Sequence, residues 1–170
     1  MADNLLNVLF LCTGNSARSI LAEAILADRG KGRFGAYSAG SQPRGEPNPR
    51  AIEQLAEAGL PTTELRSKSW SEFAERGAPT MHLVITVCDG AKGESCPVWP
   101  GHPAQVHWGI PDPADSNGGG DPVDFATAFT RLKARITALL ALDEQQMEPR
   151  QWRDAVAAIG REFEGATHGG

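Results

Sequence analysis

The sequence predicts a single-domain α/β protein in which a four-stranded parallel sheet is covered by helices on both faces. Three observations predict it. Short apolar runs of strand character alternate with stretches of helical periodicity, the pattern of βαβ units. The length of 170 residues, 41% hydrophobic and 22% charged, suits one compact domain burying roughly 70% of its unfolded surface. The chain also carries 19 glycines and 12 prolines, enough for several ordered turns and one or two long loops.

Leu5 to Leu11 is apolar except for Asn7 and reads as a buried first strand that passes at Cys12 into Thr13-Gly14-Asn15-Ser16-Ala17-Arg18-Ser19. From Ile20 the period becomes helical, with Ile20, Leu21, Ala24, Ile25 and Leu26 on one stripe closed by Gly30 and Gly32. Phe34 to Ser38 is a second strand ending in Ala39-Gly40, and Gln42 to Pro49, with three prolines, is a loop. Asn48 then caps a helix that has Pro49 at its first position and runs to Gly59. A weaker helical pattern covers Ser69 to Arg76. Met81 to Val87 is the third strand and ends at Cys88. The stretch Asp89 to Val106 is long for a connection and rich in glycine and proline, which predicts function or movement there. Val106 to Ile110 reads as the fourth strand, and Ser116 to Gly120 as a glycine-rich hinge. A long helix from Pro122 to about Leu142 turns Phe125, Phe129, Leu132, Ile136, Leu139 and Leu140 inward. Pro149 to Phe163 reads as a last amphipathic helix bearing Trp152, Val156, Ile159 and Phe163, with Gly165 to Gly170 frayed.

Several function classes are excluded. The formal charge of -5 without a basic block argues against nucleic acid or an anionic membrane surface as partner. No apolar run approaches the roughly 18 residues of a membrane span, and no secretory signal is expected at Met1-Ala2-Asp3-Asn4. Three cysteines make a poor disulfide framework and a better signal of thiol chemistry in a reducing cytoplasm.

In a parallel sheet the ligand site lies at the carboxyl ends of the strands, where Cys12 and Cys88 both stand. A loop between strand and helix turns successive N–H groups inward and adds the positive end of the helix, forming a nest for a tetrahedral oxyanion. Gly14 is expected to supply a positive φ, and Asn15 tolerates one. Arg18 offers a planar fork for two oxyanion oxygens. The same field lowers the pKa of a Cys12 thiol, and the Ser16 and Ser19 hydroxyls are placed to donate to it or to loop carbonyls. The bland alternative is a core cysteine followed by a turn.

Cys12-Thr13-Gly14-Asn15-Ser16-Ala17-Arg18-Ser19 resembles the phosphate-binding loop of low-molecular-weight protein tyrosine phosphatases and of the arsenate reductases that share their fold. Val84 to Pro97, containing Cys88 and Cys96, is similar to the redox segment of those reductases. His107-Trp108-Gly109-Ile110-Pro111-Asp112-Pro113-Ala114 resembles their acid loop, and Ala114-Asp115 follows where the phosphatases carry aromatic residues that grip phosphotyrosine. The resemblance implies residues 1–145 as the phosphatase-like domain and 146–170 as a helical extension with a frayed tail. It implies an arsenate reductase with Cys12 as nucleophile, residues Thr13 to Ser19 as oxyanion cradle and Asp112 as acid. Two relay thiols, Cys88 and Cys96, end as a disulfide that thioredoxin reduces, with no bound cofactor. Phosphate and sulfate are the expected competing anions. Glutathione with glutaredoxin is the competing donor. A phosphatase whose extra thiols protect Cys12 from overoxidation is the second class.

Zinc held by three cysteines and His107 is a remote third reading, because C-x7-C is not a usual spacing and the loop arginine opposes a cation. Asp112 has a bland reading as a cap or surface residue, but Pro113 restrains it to an extended conformation suited to a side chain aimed into a site. Asp89 and Asp115 are weaker candidates for the acid, and His82, His102 and His168 have no assigned role. Ala17 stands where many thioredoxin-linked members have a further cysteine, outside the three redox positions. Some members bind potassium beside the loop through an Asn, a Glu, a Ser and an acidic residue. Here Asn15, Glu23 and Ser38 match but Lys68 takes the acidic position, so its ammonium is expected to replace the ion and all four to brace the loop.

Overall fold

The computed structural model describes residues 5–75, 77–87, 103–110, 113 and 120–168, with side chains through 161. Four parallel strands, β1 (Leu6–Cys12), β2 (Phe34–Gly40), β3 (Leu83–Thr86) and β4 (Ala104–His107), form one sheet in the order β2-β1-β3-β4. Helices α1 (Arg18–Arg29), α2 (Pro49–Glu57), α3 (Pro122–Ala141) and α4 (Pro149–His168) pack around it. Successive strand residues face opposite sides, and Val8, Leu9, Phe10 and Leu11 are all fully buried, so β1 is covered on both faces. That makes three layers, as the alternation of elements predicts.

Local signals explain most boundaries. Asn48 caps α2, its Oδ1 accepting from Arg50 N at 2.8 Å, and Pro49 opens the helix. Asp121 does the same for α3 by accepting from Val123 N, also at 2.8 Å. Arg33, just before β2, donates to the carbonyls of Leu140 and Leu142 at the end of α3 and to Glu144 at 2.7 Å. One side chain thereby satisfies carbonyls that the helix end leaves open.

Some boundaries differ from the sequence reading. The weaker helical pattern after Ser69 is a single 3-10 turn, Trp70–Phe73, begun by Ser69 Oγ accepting from Ser71 N. β3 is four residues rather than seven, and β4 starts at Ala104 rather than Val106 and ends at His107 rather than Ile110. Pairing with β3 sets that register, Leu83 opposite Ala104 and Thr86 opposite His107, and the half-polar Ala104-Gln105 carries no apolar signal to reveal it. The last helix continues to His168 past Gly165, where fraying is expected. A single interior glycine costs about 1 kcal/mol, too little by itself to end a helix rich in helix formers. Asp89 to His102 and most of the expected hinge at Ser116 to Gly120 lie outside the described residues.

Helix α4 is part of the core. Trp152, Val156 and Ile159 are buried, and Trp108 Nε1 donates to Val156 O at 2.9 Å across the seam with β4. Trp108 also meets Phe10 with ring centroids 6.3 Å apart. Gly160 allows this approach: a Cβ there would stand 2.7 Å from both His107 O and Trp108 Cδ1. Gly160→Val should therefore cost about 2 kcal/mol by overpacking, read as a lower urea midpoint with unchanged slope. An unchanged midpoint would mean that α4 does not seat on β4 in this way.

Candidate active site

The fold brings the residues after β1 to the carboxyl edge of the sheet. Cys12 is the last residue of β1, paired with Gly40 of β2, and is only 4% exposed. α1 begins at Arg18, and its capping position is Ala17, which has no side chain able to bond the first N–H groups. No acidic residue occupies the first turn. The positive end of α1 is thus left open toward the loop, the arrangement that attracts an anion.

Asn15 fixes the loop. It is the one described non-glycine residue with positive φ, at 44°. Its Oδ1 accepts from Lys68 N at 2.9 Å, which orients the amide so that Nδ2 donates to Ser19 Oγ at 2.8 Å. Ser19 Oγ lies 2.9 Å from Cys12 Sγ. With one lone pair of the hydroxyl engaged by Asn15, its proton is available to the sulfur, and donation to the charged form favours a thiolate. Ser19 is thus within hydrogen-bond reach of Cys12 Sγ and able to donate to a thiolate there, while Ser16 lines the cavity.

Positive φ falls on Asn15 and not on Gly14, contrary to the sequence expectation. Gly14 has a mild steric reason instead: a Cβ there would stand 3.2 Å from Arg44 Nε and 3.4 Å from Arg44 Cγ, a tight contact that this exposed side chain could relieve by a small shift. Gly40 has a stronger one, since a Cβ would run into the carbonyls of Cys12 and Thr13.

Beneath the loop lies a buried polar group of Glu23, Ser38 and Lys68. Ser38 Oγ donates to Glu23 Oε1 at 2.5 Å. Lys68 Nζ donates to Arg66 O at 2.8 Å, reaches Ser38 Oγ at 3.4 Å and stands 3.6 Å from Glu23 Oε1. Burial pushes the Glu23 carboxyl above the ordinary carboxylate range, and the Lys68 ammonium and the Ser38 hydroxyl pull it partly back. Burial likewise lowers Lys68, and Glu23 opposes that shift. Oxygens that could ligate a cation thus already face a fixed ammonium, so these residues do not fit a bound potassium ion.

The resulting cavity, about 310 Å³, is lined by Cys12, Thr13, Gly14, Ser16, Ala17, Arg18, Gln42 and Arg44. Arg18 Nη1 also donates to Ile110 O at 2.9 Å, tying the loop to the chain that leads from β4 toward Asp112. Cys88, Cys96 and Asp112 lie outside the described residues, as do Asp89, His102 and Asp115. Sequence reasoning missed Gln42, Arg44 and Ser67. Ser67 Oγ donates to Gly14 O at 3.1 Å, and Gln42 N and Arg44 N donate to the carbonyls of Thr13 and Gly14. Only their place in a Pro/Gly loop marks Gln42 and Arg44, and nothing local marks Ser67, so neither gives a signal of a site.

The family model described as low molecular weight phosphotyrosine protein phosphatase matches residues 7–150. The chain belongs to this family. Among its relatives, an arsenate reductase of Bacillus cereus (strain 03BB102) is 38% identical over 142 residues, covering 84% of this chain and 99% of that one. A solved arsenate reductase in the phosphate binding state superposes with TM-score 0.66 at 27% identity, over 81% of this chain and 98% of that one. A thioredoxin-dependent arsenate reductase of Corynebacterium glutamicum shares the fold, with TM-score 0.61 at 24% identity over 82% and 62% of the two chains. The phosphatase family's fold is thus the three-layer sheet predicted from the element pattern.

The Glu23–Lys68 pair gives a prediction with a definite sign. Lys68→Met removes the ammonium and leaves a buried carboxylate, which should cost about 3 kcal/mol at pH 7. Without Lys68 the Glu23 pKa rises further, since the folded state then gains more by holding the proton. A raised folded-state carboxyl pKa favours folding below it and loses that advantage as pH rises. The deficit of Lys68→Met against wild type should therefore shrink as pH is lowered from 7 toward 5, measured by urea unfolding. A deficit that grows on acidification would contradict the pairing.

Proposed function

We propose that the protein reduces arsenate to arsenite in a reducing, cytoplasmic compartment. The observation that carries this reading is a buried cysteine at the floor of an anion cavity, 2.9 Å from a hydroxyl whose proton is free to reach it, in a chain with two further cysteines. The 38% identical arsenate reductase supports the same choice.

In this reading the open N–H groups of the loop and Arg18 hold arsenate, and the Cys12 thiolate attacks arsenic. Asp112 protonates the departing oxygen, which leaves as water. Cys88 thiolate then attacks Cys12 Sγ. The sulfur–arsenic bond breaks with its electron pair passing to arsenic, so As(V) becomes As(III) and arsenite leaves. The Cys12–Cys88 disulfide is resolved by Cys96, which attacks Cys88 and frees Cys12. The two electrons are returned when thioredoxin reduces the Cys88–Cys96 disulfide. Glutathione attack on the arsenylated Cys12, with glutaredoxin, is the competing route. Glu23, Ser38 and Lys68, together with the Asn15 side chain, brace the cradle.

NADPH oxidation in the presence of arsenate tests the scheme, with thioredoxin and its reductase in one series and glutathione and glutaredoxin in another. Cys12→Ser should abolish turnover in both, by more than about 10³-fold. Cys96→Ser should lose thioredoxin-coupled turnover while still releasing one equivalent of arsenite per chain. Full thioredoxin-coupled turnover by Cys96→Ser would sink the three-thiol relay, and efficient hydrolysis of phosphotyrosine peptides without arsenate turnover would make the protein a phosphatase.

A further inference from the structure

We infer that Arg44 is a second substrate-binding guanidinium of the oxyanion site. The segment from Gln42 to Gly45 is bound edge-on to the loop: Gln42 N donates to Thr13 O at 2.9 Å and Arg44 N to Gly14 O at 3.0 Å. Ser67 Oγ closes the arrangement, donating to Gly14 O at 3.1 Å and accepting from Gly45 N at 3.2 Å. Gly45, at φ 97°, has the left-handed backbone that this turn requires. The backbone of residue 44 is therefore set by the loop it serves.

The side chain then lies across Gly14, in van der Waals range of the space a Cβ would fill, and lines the same cavity as Cys12 and Arg18. Its guanidinium has no carboxylate or carbonyl partner among the described residues, whereas Arg33, Arg50 and Arg66 are each paired with a glutamate. An arginine held at the wall of an anion cavity, with no carboxylate partner among the described residues, has its donors available to the ligand. Arg44 is exposed while Cys12 is buried, so Arg44 serves the oxygens at the mouth and the helix end serves those near the sulfur. The ligand class is a free, doubly charged tetrahedral oxyanion such as arsenate or phosphate. A larger cavity of about 580 Å³ opens near Leu6, His82 and Ala104, at the opposite ends of the strands, and shares no residue with this one.

Arsenate as substrate rests on the proposed function, but the binding role does not, so inorganic phosphate is the first probe. Titrating the full chain with phosphate by calorimetry, Arg44→Gln should weaken binding by about tenfold, and Arg44→Lys should recover most of the loss at low salt. In the arsenate assay Arg44→Gln should raise KM by a similar factor and leave kcat within about twofold, the signature of lost ground-state binding. Unchanged phosphate affinity in Arg44→Gln overturns the inference, as does an equal loss in Arg44→Lys. If the wild type reduces no arsenate yet Arg44→Gln still loses phosphate affinity, the reductase reading fails and the role of Arg44 stands.

Discussion

The amide of Asn15 holds the site together. It sits in a backbone conformation that costs most residues of order 1 kcal/mol or more, and its two ends are spent in opposite directions. One end takes the Lys68 N–H and anchors the loop to the segment beside β2; the other gives a hydrogen to Ser19 Oγ and occupies one of its two lone pairs. The serine proton stays available to Cys12 Sγ, 2.9 Å away, where it would stabilise a thiolate. Aspartate at this position would keep the acceptor and lose the donor, and so would release the serine.

The buried Glu23–Lys68 pair beneath Asn15 is a less obvious choice, because burying two charges is expensive and a hydrophobic pair of similar volume often serves stability as well. Its value here is positional. Lys68 is bonded through its own backbone to both Asn15 and Gly40 and through its ammonium to Ser38 of β2 and to Glu23 of α1. The loop is thereby tied to the strand that precedes it in the sheet order and to the helix next after it in the chain. Arsenate, or any oxyanion, brings negative charge to the other side of the loop. A fixed ammonium below also offsets the negative charge of Glu23, which would otherwise oppose a bound anion.

Much of this is legible in the sequence, and the rest is hidden for physical causes. The element order, the two proline-opened helices and the loop from Cys12 to Ser19 are readable because each rests on local rules: periodicity, capping and spacing. The assembly of Asn15, Glu23, Ser38 and Lys68 can be named only through resemblance, since its members are separated by up to 53 positions and meet through strand pairing. Gly14 shows how a local rule misleads. A glycine in a turn suggests positive φ, whereas this one has none and lies against a side chain thirty residues away in the chain, which no local pattern encodes. Arg44 is invisible for the same cause. The bounds of β4 escape the sequence because its register is dictated by β3, and its own first residues are not apolar.

One fold hosts hydrolases and reductases because the first half of both reactions is the same physical problem. A thiolate must be kept ionised in a buried place and must meet a tetrahedral anion held by N–H groups and a guanidinium. The cradle solves that problem and is indifferent to the fate of the thiol-bound anion. In the proposed relay a second sulfur reaches Cys12 Sγ from the side away from the arsenic, and in the sequence Cys88 comes directly after Val87, whose N–H is bonded to Leu11 O beside Cys12. A parallel sheet brings neighbouring strands to the same edge in the same direction, so the carboxyl ends of β1 and β3 lie side by side there. Adding electron transfer to such a phosphatase cradle thus needs no new architecture. In the proposed relay it needs a cysteine after the adjacent strand and another within reach of it, and an odd number of thiols then fits a chemistry in which two are bonded at a time and the third is free.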